Sequence, residues 1–107
     1  MKLAAFEELV LLVVGTLGDE AYGVSIKEAL EEELGKNSSI GALHSALYRL
    51  EEKGYVVSRE GGATSERGGR RKKFYRITAY GIRTLEEVNE IRVKLARQVP
   101  GLKLGFK

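Results

Sequence analysis

The sequence predicts a mostly α-helical chain with one small β-hairpin, an α+β fold, and three features between residues 39 and 78 lead to this class. A helical pattern begins near Ser39 and breaks at Gly54. Two short runs rich in β-branched and aromatic residues, YVVSR and FYRIT, follow it. Between them lies a glycine-rich loop, and seven Lys/Arg against two Glu give residues 59–76 a net charge of +5. A helix followed by a hairpin with a basic tip is the layout of a winged helix-turn-helix. In that layout the helix enters a groove of nucleic acid and the hairpin contacts phosphates.

Length and composition fit a single globular chain. With 107 residues, it can bury roughly 60–70% of its unfolded surface without covalent cross-links. The absence of cysteine excludes disulfides and thiolate metal sites and fits a cytoplasmic protein. The apolar run Leu9–Val14 is far shorter than the ~20 residues that span a bilayer, so no membrane-spanning segment is expected and a membrane is not among the predicted partners. Residues 1–58 carry a net charge of −5, so the positive charge centres on the hairpin loop.

The first predicted helix, residues 3–17, is apolar almost all round its middle. Phe6, Leu9 and Val13 recur at helical spacing, while Leu12 and Val14 lie on the other side. Such a helix needs burial on two faces. One face can pack on its own domain, and we interpret the other as a subunit contact. A central core helix in a monomer is the alternative.

The second predicted helix, residues 22–34, ends at Gly35 and leads through a short link into the third. The link Lys36–Ser38 has the length of a helix-turn-helix connection. The acidic run Glu31–Glu33 lies at the C-terminal end of the helix, where the helix dipole disfavours negative charge. We therefore predict that this run forms a solvated face turned away from DNA.

The third predicted helix starts after Ser38 or Ser39, either of which can cap it. Leu residues and Ala46 share one side, and small or polar residues share the other. Small residues near the N-terminus of a recognition helix allow it to approach base edges closely. The residues of this helix that we predict to contact DNA are Ser39, Gly41, Ala42, His44, Ser45, Tyr48 and Arg49.

His44 is the only histidine, and neither cysteine nor clustered carboxylates lie near it in the sequence. A metal-binding or general-base role is therefore not expected. DNA contact and plain solvent exposure both remain open for this side chain.

The hairpin is predicted to consist of strands Tyr55–Arg59 and Lys73–Ile77 with a long loop between them. Long loops in compact domains are commonly functional or mobile. Its basic residues could simply be solvated, but a helix-turn-helix directly upstream favours phosphate contact. The predicted DNA-contacting residues of this wing are Arg67, Arg70, Arg71, Lys72 and Lys73.

Thr78 can cap a final helix, predicted from Ala79 to about Val99. Its apolar residues form a narrow stripe flanked by charges, which is typical of a dimerisation arm; folding back on its own core is the alternative. We therefore divide the chain into a winged-helix DNA-binding domain, residues 1–78, and a C-terminal dimerisation helix with its tail, residues 79–107. The predicted dimer interface comprises Phe6, Leu9, Val13, Leu85, Val88, Ile91 and Leu95.

Three phrases, DEAYGVSIKEAL, IGALHSALYRLEEKGYV and RGGRRKKFYRITAYG, resemble the PadR-like winged-helix transcriptional regulators over about residues 5–90. The chain is similar to the short subgroup with a single C-terminal helix. The resemblance implies a homodimer, built from the first and last helices, that represses transcription from a roughly palindromic double-stranded operator. It also implies a small apolar effector in a pocket lined by Val14, Leu85 and Val88. Many members have Tyr-Pro where this chain has His44-Ser45, so an operator preference cannot simply be transferred.

Two other function classes stay open. The RGGRR run resembles arginine–glycine segments that bind RNA, although RNA readers usually present several exposed stacking aromatics, and Tyr48 and Phe74 are thin support. The basic hairpin tip could also bind an anionic surface as an adaptor. Nothing in the sequence indicates an enzyme, and no catalytic residue, metal ligand or cofactor is predicted.

Overall fold

The computed structural model of the chain describes residues 3–61 and 72–103. Within these residues the fold consists of four helices, one 3₁₀ turn and a two-stranded antiparallel hairpin, which confirms the predicted fold class. In chain order the elements are α1 (Ala5–Leu17), the 3₁₀ turn (Gly18–Glu20), α2 (Gly23–Leu34), α3 (Ile40–Glu52), β1 (Val56–Gly61), β2 (Lys72–Ile77) and α4 (Ala79–Ala96). None of these four helices has the length and apolarity that a membrane span requires.

The core forms around α1, which packs against α2, α3 and β2. Its residues Val10, Leu11 and Val14 are buried, whereas Leu9 and Leu12 remain 40% and 43% exposed. Helix α1 therefore has one buried and one exposed apolar surface, but the exposed Leu9 and Leu12 come from opposite sides of the predicted pattern. The buried apolar residues are Val10, Leu11, Val13, Val14, Ala21, Ile26, Leu30, Leu43, Ala46, Leu47, Leu50, Tyr55, Val56 and Tyr75.

The hairpin is fastened to the segment that precedes α2. Strands β1 and β2 pair from Val56↔Ile77 to Gly61↔Lys72. On the other edge of β2, the Tyr75 amide donates to the Ala21 carbonyl at 2.8 Å, and Tyr22 forms an isolated bridge with Phe74. Strand β2 therefore pairs with β1 on one edge and with the segment before α2 on the other, which fastens the hairpin to the helix-turn-helix.

Helix α4 starts at a tight junction with the turn that follows α3. Thr78 caps the helix as predicted: its Oγ1 accepts from the Gly81 amide at 2.9 Å and donates to the Gly54 carbonyl at 2.8 Å. Toward its C-terminal end α4 exposes apolar side chains, with Ile91 46% and Leu95 57% exposed, although Arg92 still pairs with Glu8 of α1. The chain is accordingly elongated, with extents of 56 × 29 × 25 Å.

Candidate nucleic-acid interface

The exposed side of α3 carries the residues that the sequence singles out. Ser39 caps the helix, and its Oγ accepts from the Ala42 amide at 3.2 Å. The four apolar residues on the opposite side of α3 are all fully buried. This burial leaves every predicted recognition residue exposed: Ser39, Gly41, Ala42, His44, Ser45, Tyr48 and Arg49.

A groove separates α3 from β2 and the start of α2. It has a volume of about 570 Å³, and His44 and Tyr48 line one wall while Lys72 and Lys73 line the other. Two sets of residues that the sequence suggests separately, one from the helix and one from the hairpin, therefore meet at one concave surface. Arg67, Arg70 and Arg71 lie outside the described residues.

Aromatic rings hold two cations in the half of the described hairpin that lies nearer the loop, since Arg59 pairs with Phe74 and Lys72 with Gly61. Lys72 Nζ lies 4.2 Å from the centre of the Tyr22 ring, and that ring packs against Phe74 at 5.3 Å between centroids. Arg59 covers the Phe74 ring, with its Cζ 4.9 Å from the centroid. Cation–π contacts of this kind orient an ammonium or guanidinium without neutralising its charge. Phe74 is thus engaged within the protein, which weakens its candidacy as a platform for stacking an RNA base.

Tyr48 is the large exposed side chain of the helix. It is 62% exposed, and its hydroxyl donates to Glu52 Oε2 at 3.0 Å. This hydrogen bond to a carboxylate raises the pKa of Tyr48 above its usual value. Lys73 in turn lies 3.7 Å from Glu51 Oε1, in an exposed ion pair.

Arg49 is exposed on one side and ion-paired on the other, a feature that periodicity does not reveal. Its Nε lies 2.5 Å from Glu7 Oε2, and Lys53 Nζ lies 2.9 Å from Glu7 Oε1. Burial alone would raise the pKa of Glu7, but the hydrogen bonds from Lys53 and Arg49 bring it below its usual value. Glu7 is therefore a buried carboxylate that binds Arg49 of α3 and Lys53, which directly follows that helix. One signal was available in the sequence, because Glu7 shares the helical spacing of the buried residues Val10 and Val14.

The acidic run at the end of α2 is only partly a solvated face. Glu32 and Glu33 are exposed, but Glu31 accepts from Lys27 Nζ at 2.6 Å and from the Ser38 amide at 2.8 Å. The pKa of Glu31 is lowered by the hydrogen bond from Lys27 and then by that from Ser38. Glu31 thus fastens the turn between α2 and α3, a role that we did not predict.

The predicted dimer surface is partly exposed in the single chain. Leu9, Ile91 and Leu95 are exposed, whereas Phe6, Leu85 and Val88 are half-buried. Val13, at 8% exposure, faces the core of its own chain, because α1 turns that side toward α2 and α3. The interface itself stays a prediction.

The predicted effector site requires one correction. Val14 is 1% exposed and belongs to the core, so it cannot line a pocket between the first and last helices. An open groove of about 440 Å³ does lie between α1 and α4, and Leu85 lines it. Val88 lines a separate, smaller depression with Leu3, Ile91 and Arg92.

The chain matches the sequence profile of the transcriptional regulator PadR-like family over residues 10–87. Among proteins with curated functions, none matches it. A PadR family transcriptional regulator from Eggerthella lenta is 30% identical with a TM-score of 0.67, and the alignment covers 84% of this chain and 76% of that one. A PadR-like transcription factor from Bacteroides fragilis gives a TM-score of 0.77 at 21% identity, with 92% and 89% coverage.

A third similar structure is that of Bacillus subtilis PadR in complex with operator DNA. It gives a TM-score of 0.68 at 20% identity, with coverage of 80% of this chain and 47% of the other. At identities of 20% and 21%, the likeness to the Bacillus and Bacteroides proteins shows a shared fold.

Proposed function

The chain belongs to the PadR-like family of transcriptional regulators, and on that premise we propose that it binds specific sequences of duplex DNA through α3 and the hairpin. Members of this family are transcriptional regulators rather than enzymes. The observation that carries the proposal is the groove in which His44 and Tyr48 of α3 face Lys72 and Lys73 of β2.

The shape of α3 suits the major groove of DNA. Its 13 residues correspond to a rod about 20 Å long, and the major groove, about 12 Å wide, admits one helix. Small residues at its N-terminal end, Gly41 and Ala42, permit close approach to base edges. Ser45 and Tyr48 on the rigid helix are suited to read bases, while Lys72 and Lys73 are suited to bind phosphates.

We propose further that two copies of the chain form the active unit. Ile91 and Leu95 of α4 and Val99 just after the helix remain exposed, and neighbouring basic residues give this end of the chain a positive charge. A separate groove lies between α1 and α2. Leu9, Leu12 and Leu34 line it, together with Glu32 and Glu33. The α4 end of a second copy matches this groove in both apolarity and charge. A two-fold dimer presents two copies of α3 and therefore requires a roughly palindromic operator.

Repression and its relief follow from the same arrangement. A dimer bound to its operator in the cytoplasm would block transcription of the adjacent gene. A small apolar effector would bind in the groove between α1 and α4, which Leu12, Ile77, Ile82 and Leu85 line. Because this groove adjoins the proposed subunit contact, its occupant would alter the spacing of the two α3 helices.

The test is a salt titration on two duplexes, an operator selected from a random pool with the purified protein and an unselected sequence. We expect Lys72→Gln to weaken binding to both duplexes by similar factors. It should flatten the log–log salt slope by about 0.9 per lost phosphate contact, or roughly 1.8 per dimer. Tyr48→Ala should instead lower the ratio of operator to random binding and leave the slope nearly unchanged.

The matched control is Lys103→Gln, which removes the same charge from an exposed position beyond the end of α4. It should leave both affinity and slope near the wild-type values. Equal binding to all duplexes, or tighter binding to structured RNA than to the selected operator, would refute the proposed function. If Lys72→Gln instead changed the ratio of operator to random binding and left the salt slope unchanged, then the hairpin would read bases and α3 would bind phosphates, the reverse of the proposed roles.

A further inference from the structure

One carboxylate of α1 binds two cationic side chains, one on α3 and one on the residue that directly follows α3. Glu7 is 3% exposed, and its two oxygens bind Arg49 Nε at 2.5 Å and Lys53 Nζ at 2.9 Å. The two cationic side chains are 49% and 32% exposed, so each reaches solvent from the same cluster. The contact thus joins a core helix to the surface of the helix proposed to bind DNA.

Arg49 lies at the border of the exposed side of α3. At about 100° per residue, it is about 40° round the helix from the exposed Ser45 and about 60° from the buried Ala46. From this border position, a long and flexible side chain can reach either α1 or the exposed side. In the structure it reaches α1, because the buried carboxylate of Glu7 binds it there.

We infer that Glu7 is a positioning residue that holds Arg49 and Lys53 away from DNA phosphates and thereby limits sequence-independent binding. Sequence-independent affinity comes from cations that displace counterions from phosphates. A guanidinium bound to a carboxylate displaces fewer of them, since its charge is already compensated. Because Glu7 keeps two cations from binding phosphates, the base contacts of α3 contribute a larger fraction of the total binding free energy.

This inference rests on the proposed function, and the experiment measures only the affinity for random duplex DNA as a function of salt. We expect Glu7→Gln to bind random duplex more tightly and with a steeper salt dependence than the wild type. Each released cation should add about 0.9 to the slope. At about 0.1 M salt that corresponds to roughly eightfold tighter binding for each released cation.

The chain offers a matched control in the adjacent residue. Glu8 pairs with Arg92 of α4, with Oε1 2.5 Å from Nη2, so Glu8→Gln makes the same change in net charge without touching α3. It should leave the slope at the wild-type value. Circular dichroism and sedimentation would establish that both variants keep the fold and the oligomeric state of the wild type.

A second set of variants tests the same inference from the side of the cations, with circular dichroism again showing that each variant is folded. If Glu7 already compensates the two cations, the double variant Arg49→Ala/Lys53→Ala should show the wild-type slope on random duplex. Adding Glu7→Gln to this double variant should then produce no steepening, because no cation remains to be released.

Two results would overturn the inference. One is a Glu7→Gln variant that binds random duplex no more tightly than Glu8→Gln does. The other is a double variant whose slope falls by about 1.8 per protomer, since both cations would then contact phosphates in the wild type. A wild type that binds no duplex DNA at low salt would instead refute the proposed function and is distinguishable from either result.

Discussion

Leu95→Asp is expected to make the protein monomeric at micromolar concentration and to abolish operator binding at the same concentrations. Leu95 is 57% exposed on α4, beyond the part of the helix that packs on its own domain, so the substitution should leave the monomer folded. In a two-fold dimer the change occurs twice. Losing the burial of two leucine side chains costs about 3–6 kcal/mol, which weakens association by at least about 100-fold.

The matched control for this prediction is Val57→Asp, because Val57 is 54% exposed on β1 and outside the predicted interface. It introduces the same charge at an apolar residue of similar exposure and should leave the sedimentation coefficient unchanged. Operator affinity should fall together with dimerisation in Leu95→Asp, because a monomer contacts only one half-site. A wild type that sediments as a stable monomer would contradict the dimer, and a fully dimeric Leu95→Asp would place the interface elsewhere.

Local pattern predicts the helices and the buried side of α3 because the hydrophobic period is unambiguous there. Leu43, Leu47 and Leu50 are spaced so that one side of the helix is apolar and the other polar, and all three are fully buried. Cap residues are similarly local, since Ser39 and Thr78 each accept from an amide only three residues later. These signals require no knowledge of which element lies opposite.

The same reasoning cannot predict contacts between segments that are far apart in the sequence. Glu7 and Arg49 are 42 positions apart, and nothing in the spacing of either helix selects the other as a partner. The hydrogen bond that ties Tyr75 to Ala21 is equally non-local. Periodicity identifies which side of an element is buried but not what covers it. The family resemblance is no better guide at Val14, which it places in a pocket although the residue lies in the core.

The acidic run at the end of α2 shows the same limit at shorter range. Composition alone suggests three equivalent glutamates, yet the geometry of the turn brings the Ser38 amide to the carboxylate of Glu31 and to no other residue of the run. A solvated face and a structural hydrogen bond thus occur in consecutive residues. Only the path of the backbone through the turn determines which of the three glutamates reaches the Ser38 amide.

Gly81→Ala is expected to destabilise the fold strongly, because a methyl group at this position has no room. A Cβ added to Gly81 would lie 2.4 Å from the Tyr55 carbonyl oxygen and 2.9 Å from Ile77 Cγ1. The same oxygen accepts from the Thr78 amide at 3.0 Å, so moving α4 away from the clash weakens the capping junction. Overpacking costs about 1–3 kcal/mol and loss of a cap about 1 kcal/mol, which together lower Tm by roughly 10–20 °C in a domain of this size.

The control is Gly41→Ala, because Gly41 also lies in the first turn of a helix that starts after a hydroxyl cap. Its added Cβ would meet only the Ser39 Oγ, at an ordinary 3.7 Å. Alanine there reduces the freedom of the unfolded chain and should stabilise the protein by about 0.4–1 kcal/mol, so the two variants are expected to shift Tm in opposite directions. Thermal unfolding followed by circular dichroism measures both. Equal Tm values for the two variants would mean that the start of α4 does not pack against the Tyr55 carbonyl. The junction between α4 and the turn after α3 would then have a different geometry from the one described.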